Sequence, residues 1–296
     1  MFALSLAAAL ATVQPAPADE EEIVIEAELP EDEKKEVRRV VRALIDVPSL
    51  GQIPRFHNAI CPYAVGLPKA QVDGVVERIR QVADATFMGA AEKPCNANLM
   101  IVVTDDRRAL FETWLDNHPR IFFGYEPADI RRIRDAEGPV TSWQIVMQAD
   151  RDLEPLPIDF ADGYTINESI ESPSRIRNVR RPDVRAAIIV FDREAVAGLT
   201  TTQLADYALM RATTKMDDDA VDALQTPSIL QMFADLETDG EALRSVSEYD
   251  VGFLEALHST DNLRNASQQR AAMRYRMEQA ISRQRREAEE AEEAAE

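Results

Sequence analysis

Histidine, glycine and cysteine are all scarce in this chain of 296 residues, and each scarcity closes off a chemistry. Only three His are present, His57, His118 and His258, and no two stand four apart on one helix. That rules out a His-Glu-x-x-His zinc helix and argues against a zinc site built any other way. Ten Gly are spread so that none form GxGxxG or GxxxxGK, so no phosphate-cradling loop is expected. A GxSxG nucleophile elbow is missing as well. Basic residues are in deficit: 33 Lys and Arg stand against 53 Asp and Glu, for a formal charge of −20. Such a surface repels phosphate backbones, so no nucleic-acid partner is expected. No internal apolar run reaches the length of a membrane span, so no stable span is expected.

What is present begins at the N-terminus. "MFALSLAAALATVQPAPA" has a short apolar run from Phe2 to Val13, then Pro15 and Pro17, then the small-x-small triplet Ala16-Pro17-Ala18. Charge starts abruptly at Asp19. This layout predicts a signal peptide over 1–18, cleaved after Ala18, and hence a periplasmic or secreted protein. The run lacks a preceding Lys or Arg. Two cysteines, Cys61 and Cys95, are an even number for an exported chain. A bridge between them closes a loop that contributes roughly 3 kcal/mol. The residues alone leave a second reading open, two buried free thiols.

Hydrophobic residues make up 45% of the chain, enough for a sizeable core. Residues 19–33 read as an exposed acidic linker, 34–281 as one domain, and 282–296 as an acidic tail that frays, because Glu opposes the dipole at a helix C-terminus. Apolar spacing predicts helices over 34–46, 67–87, 106–118, 127–137, 201–214, 226–236, 247–259 and 267 onward. Met273, Met277, Ala280 and Ile281 mark the buried side of the last, long helix. Strands are expected over 97–106 and 140–150, and one or two more over 174–192 broken at Pro182. Residues 47–67 and 151–173, rich in Pro and Gly, read as connections, and 217–224 as an acidic one. Interspersed helices and strands predict an α+β fold with a mixed sheet packed by helices.

Candidate site residues are few. Asp105 and Asp106 follow the strand over 97–106, where carboxylates serve ligands or, more simply, cap the next helix. "RIRNVRR", with Arg175, Arg177, Arg180 and Arg181, is the one basic cluster that stands out, and it suits a carboxylate or phosphate. Its plainer reading is a charged, solvated edge strand. His57 reads as a loop residue, and His118 and His258 as helix-end residues. Trp114 and Trp143 read as core. No cofactor is expected. The partner is read as an envelope protein or a small ligand.

Several stretches taken together, "CPYAVGLPKAQVDGVVERIRQVA", "CNANLMIVVTDD", "RPDVRAAIIVFDREAVAGLTTTQLADYALMRATT", "TPSILQMF" and "SEYDVGFLEALHSTDNLRNASQQRAAM", resemble a family of exported alphaproteobacterial proteins of uncharacterised activity. The resemblance runs from about residue 55 to 280 and implies a signal peptide and a Cys61–Cys95 bridge, with no activity attached. The order of strand, helix, Ser-Ile-Leu turn and helix is also similar in layout to zincin-like metallopeptidases. That likeness would put "LADYALMRA" in the place of the metal helix, with Asp206 and Met210 one turn apart. A thioether and one carboxylate cannot hold zinc, so the resemblance implies a helix whose metal site is gone. Leu204, Tyr207 and Ala208 are expected to face inward, with Asp206 and Met210 to the side. The functional expectation is a non-catalytic binding or scaffold protein. The alternative is a hydrolase in which Asp105, Asp206, Tyr207 and the Arg cluster converge.

Overall fold

The computed structural model describes residues 29–150, 152–156, 178–238 and 240–294. The expected signal peptide, most of the acidic linker, Arg175 and Arg177 lie outside these residues. The fold is α+β: a four-stranded mixed sheet packed with helices, ending in a long C-terminal helix.

The chain enters with helix α1, Glu31–Ala43. It starts three residues earlier than the sequence suggests. Glu31, Asp32 and Glu33 fill its first turn, where the helix dipole favours anions, so they belong to the helix rather than to a linker. Strand β1, Pro62–Val65, comes next and was read as part of a loop. Four residues between Cys61 and Gly66 are too few to show a period of two. Helix α2, Lys69–Ala85, crosses to strand β2, Leu99–Thr104. Helices α3, Arg107–Asn117, and α4, Pro127–Arg134, then lead to strand β3, Val140–Ala149.

Strand β4, Arg181–Asp192, is continuous. The break expected at Pro182 does not occur. Pro182 sits at the second residue of the strand, and β2 begins to pair with β4 only at Ala187, so the missing N–H interrupts no ladder on that side. The order across the sheet is β1-β2-β4-β3. β1, β2 and β4 are parallel, and β3 is the antiparallel outer strand.

After β4 come α5, Thr201–Thr213, and α6, Asp218–Asp222. The second was expected as a connection. Asp217 caps it by accepting from the Ala220 N–H at 3.2 Å, and Asp218 and Asp219 occupy its first turn, so the acids specify a helix start. Helices α7, Met232–Glu237, α8, Glu248–Ser259, and α9, Ala266–Glu293, complete the chain. α9 runs to Glu293, past the point where fraying was expected. Arg285 holds it to Glu248 at 2.7 Å and to Glu33 at 2.7 Å. The Ala and Glu beyond are strong helix formers.

Alternation of side chains divides the sheet into two faces. Leu99, Ile101, Val103, Ala187, Ile189 and Phe191 pack on the face shared with α1, α2, α5, α8 and α9. Val102, Ile188 and Val190 pack on the other with Phe111 of α3 and Trp143 of β3. There the Trp143 ring lies 5.2 Å from Phe111 and 5.3 Å from Phe122, and its indole N–H donates to the Ile121 carbonyl at 2.8 Å. Cys61 and Cys95 are bridged, joining the start of β1 to the approach to β2.

Candidate functional site

A cleft of about 660 Å³ runs along the outer strand β3. That volume suits a small-molecule or short-peptide ligand. Five parts of the chain converge on it, and each is held by a specific contact.

β3 presents Ser142, Gln144, Val146 and Gln148. The Gln144 side chain donates to the Ala212 carbonyl at 2.7 Å and so ties the strand to the end of α5. The Tyr125 hydroxyl donates to the Gln144 carbonyl at 3.0 Å and holds the segment before α4, whose Arg132 and Ile133 form another wall. Burial pushes the Tyr125 phenol up from its ordinary pKa, so it remains a donor. Beyond α5, the Asp46 N–H donates to the Lys215 carbonyl at 2.6 Å, which fixes Thr214–Met216 against the exit of α1. The loop carrying Leu50 and Pro54 closes a third side. Arg55 anchors that loop, because its guanidinium donates to the carbonyls of Leu257, His258 and Thr260 at the end of α8 at 2.7, 3.1 and 2.6 Å. Asn178, Arg180 and Pro182 form the last side, held where the Asn178 N–H donates to the Leu263 carbonyl at 2.7 Å.

The wall is cationic. Among the described residues, Arg132, Arg180, Arg211 and Lys215 line it, and no Asp or Glu does. Arg211 is held by several side chains at once. Its Nε donates to Ser142 Oγ at 3.0 Å, and its fork grips the Asp218 carboxylate. That carboxylate and the hydrogen bond to it hold the guanidinium charged despite its burial.

The sequence-selected residues are dispersed. Arg180 lines the cleft. Arg181 turns away from it and donates to Asn262 Oδ1 at 3.2 Å. Asp106 caps α3 by accepting from the Ala109 N–H at 2.9 Å, and Asp105 pairs with Arg193 at 2.6 Å. Both lie near the C-terminal end of β4, and Arg180 and Arg181 lie at its start. Asp105, Asp206, Tyr207 and the described members of the cluster, Arg180 and Arg181, therefore do not converge.

Helix α5 differs from the expected amphipathic arrangement. It is buried from Gln203 through Met210, so Asp206 and Met210 are core residues rather than flanking ones. Asp206 is 0% exposed and accepts from Arg78, Ser245 and the Val246 N–H. The residue by which α5 reaches the cleft is Arg211, and one turn before it stands Tyr207, packed against Phe233 with ring centres 4.9 Å apart. Among the described residues, no group of three or more His, Cys, Asp or Glu gathers where it could hold a metal ion. His57 is also not a free loop residue. Its Nδ1 meets Asp183 Oδ1 at 3.1 Å, and its Nε2 meets Asn262.

Sequence reasoning missed Arg132, Arg211 and Lys215. The available signal was weak: bases scattered over 84 positions whose only common property is proximity in space.

Fold and site together define a class, an α+β protein with an open cationic cleft at its sheet edge. No family model, curated protein or solved structure matches the chain. No helix among the described residues is long and apolar enough to cross a membrane.

Proposed function

We infer that this chain is an exported, non-catalytic binding protein of the cell envelope, and that the cleft beside β3 is its ligand seat. The observation that carries the reading is the cleft itself: about 660 Å³, walled by five separately anchored segments. Among the described residues that line it there is no His to activate a hydroxyl. Ser142 Oγ, the one hydroxyl on the β3 wall, is engaged by Arg211 rather than by a His. Export is supported by the N-terminal apolar run with its small-x-small site and by the Cys61–Cys95 bridge, since disulfides persist in oxidising compartments.

A second reading keeps the zincin-like resemblance: a scaffold whose metal helix has lost its ligands. It is favoured by the placement of α5, which follows β4, packs on the sheet and reaches the cleft with Arg211 one turn after Tyr207. Both readings describe a binder, and they differ only in ancestry.

The test is a fragment screen by two-dimensional NMR on the labelled protein, read at Gln144, Gln148 and Trp143. Binding should shift these amides as a group. Fragments that bind only elsewhere would remove the cleft as the seat. Native mass spectrometry of protein from its own host adds the second arm. A mass matching residues 19–296 less two hydrogens is expected, whereas a stoichiometric bound zinc would overturn the metal-free reading.

A further inference from the structure

Resting on the cleft as the ligand seat, we propose that its ligand is a short polycarboxylate, an acidic peptide segment or a small molecule with several carboxylates. Acids outnumber bases 53 to 33 in this chain, yet among the described residues the cleft wall carries four bases and no acid. Lys215 and Arg180 are exposed there and form no ion pair among the described residues. They are the charges a ligand would meet first. Arg211 supplies the shape. Ser142 holds its Nε, and its two terminal nitrogens face both oxygens of Asp218 side by side, the fork geometry that selects a planar carboxylate. The Asp218 side chain is 65% exposed, so this internal carboxylate occupies the fork from the solvent side and can be exchanged for one from a ligand. The side chains of Gln148 and Asn178 add neutral hydrogen-bonding capacity beside these charges.

The net charge of −20 limits the ligand's length. A long polyanion would leave the cleft and meet an acidic surface, whereas a ligand that ends within the cleft stays beside its bases and competes only with Asp218 for the Arg211 fork. Long nucleic acids and acidic polymers are disfavoured on the same ground.

Calorimetric titration of the mature protein tests this with three probes: N-acetyl-triglutamate, N-acetyl-triglutamine and tricarballylate. The glutamate peptide or tricarballylate should bind about tenfold or more tighter than the glutamine peptide, and added salt should weaken that binding. Binding of the peptide alone identifies an acidic segment as the source, and binding of tricarballylate alone a small polycarboxylate. The double variant R180Q/K215Q changes two exposed side chains and should lose about tenfold while keeping the parent's thermal midpoint. D218N, which weakens the internal competitor, should bind more tightly. Equal binding of the glutamate and glutamine peptides would overturn the proposal, as would indifference to R180Q/K215Q or no binding of either acidic probe. The cleft as ligand seat stands or falls separately, on whether neutral fragments shift Gln144 and Gln148.

Discussion

Arg78 of α2 grips Asp206 of α5 through two parallel bonds, Nε to Oδ1 at 2.8 Å and Nη2 to Oδ2 at 2.9 Å. Asp206 lies wholly inside the protein, and it also accepts from Ser245 Oγ at 2.8 Å and the Val246 N–H at 2.9 Å. One carboxylate thereby fastens two helices and the approach to α8. Replacing Asp206 with Ala strands all of these donors and should cost roughly 3 kcal/mol. The denaturant midpoint measures it. A change within experimental scatter would mean that the network is not what joins α2 to α5.

The tight exit from β1 gives a second prediction. Gly66 has φ of +90°, and a Cβ there would stand 2.0 Å from the Val103 carbonyl oxygen of β2. Both the conformation and the contact demand glycine. Gly66→Ala should destabilise by on the order of 3 kcal/mol or fail to accumulate as folded protein. Gly124, with open space around it, is the control, because Gly124→Ala carries the strain of a positive φ without the collision.

Acid should weaken the fold through His258. Burial, aided by Arg55 and His57, depresses its pKa from 6.5 to about 4, against the opposing pull of the Leu254 carbonyl. Its Nε2 is buried without a hydrogen-bond partner. A depressed histidine contributes stability that is fully present above pH 6.5. As pH falls, the unfolded chain takes up a proton that the folded chain refuses, and the contribution is lost down to about pH 4. His57 is lowered too, mainly by burial, and acts in the same direction. The whole window spans at most about 3 kcal/mol for His258. Urea midpoints recorded from neutral to acid pH should fall for the parent and fall less for His258→Gln. Parallel curves would assign the acid sensitivity elsewhere.

Reduction offers a fourth test. The Cys61–Cys95 bridge spans a sequence separation of 34 residues and restrains the unfolded chain. The variant with both cysteines changed to Ala should lose about 3 kcal/mol. The parent should match it in the presence of reductant. Equal stability with and without the bridge would show that the β1–β2 junction is held by packing alone.

Much of the fold was legible before the structure. The periods of α2 and α8 and the apolar run of β2 all appear where local sequence places them. Those features depend on residues within a turn or a strand of one another. What failed was equally local in cause. β1 was too short to show alternation, and Pro182 was read as a break without knowing which strand would lie beside it.

The sequence by itself determined the class of the fold, the scarcity of metal and phosphate motifs and the acidic charge, because these follow from composition and short-range spacing, whereas the Cys61–Cys95 bridge needed the fold that brings the two together. Only the tertiary structure decided the site. Arg132, Arg180, Arg211 and Lys215 come from α4, the approach to β4, α5 and the segment after it, and they meet only because β3 folds to the outside of the sheet. The same holds for Asp206, which the sequence shows as one acid among 53 and the folded protein turns into the anchor of α2 on α5. Strand order and helix packing set which charges face one another, and neither is encoded within any single stretch of the chain.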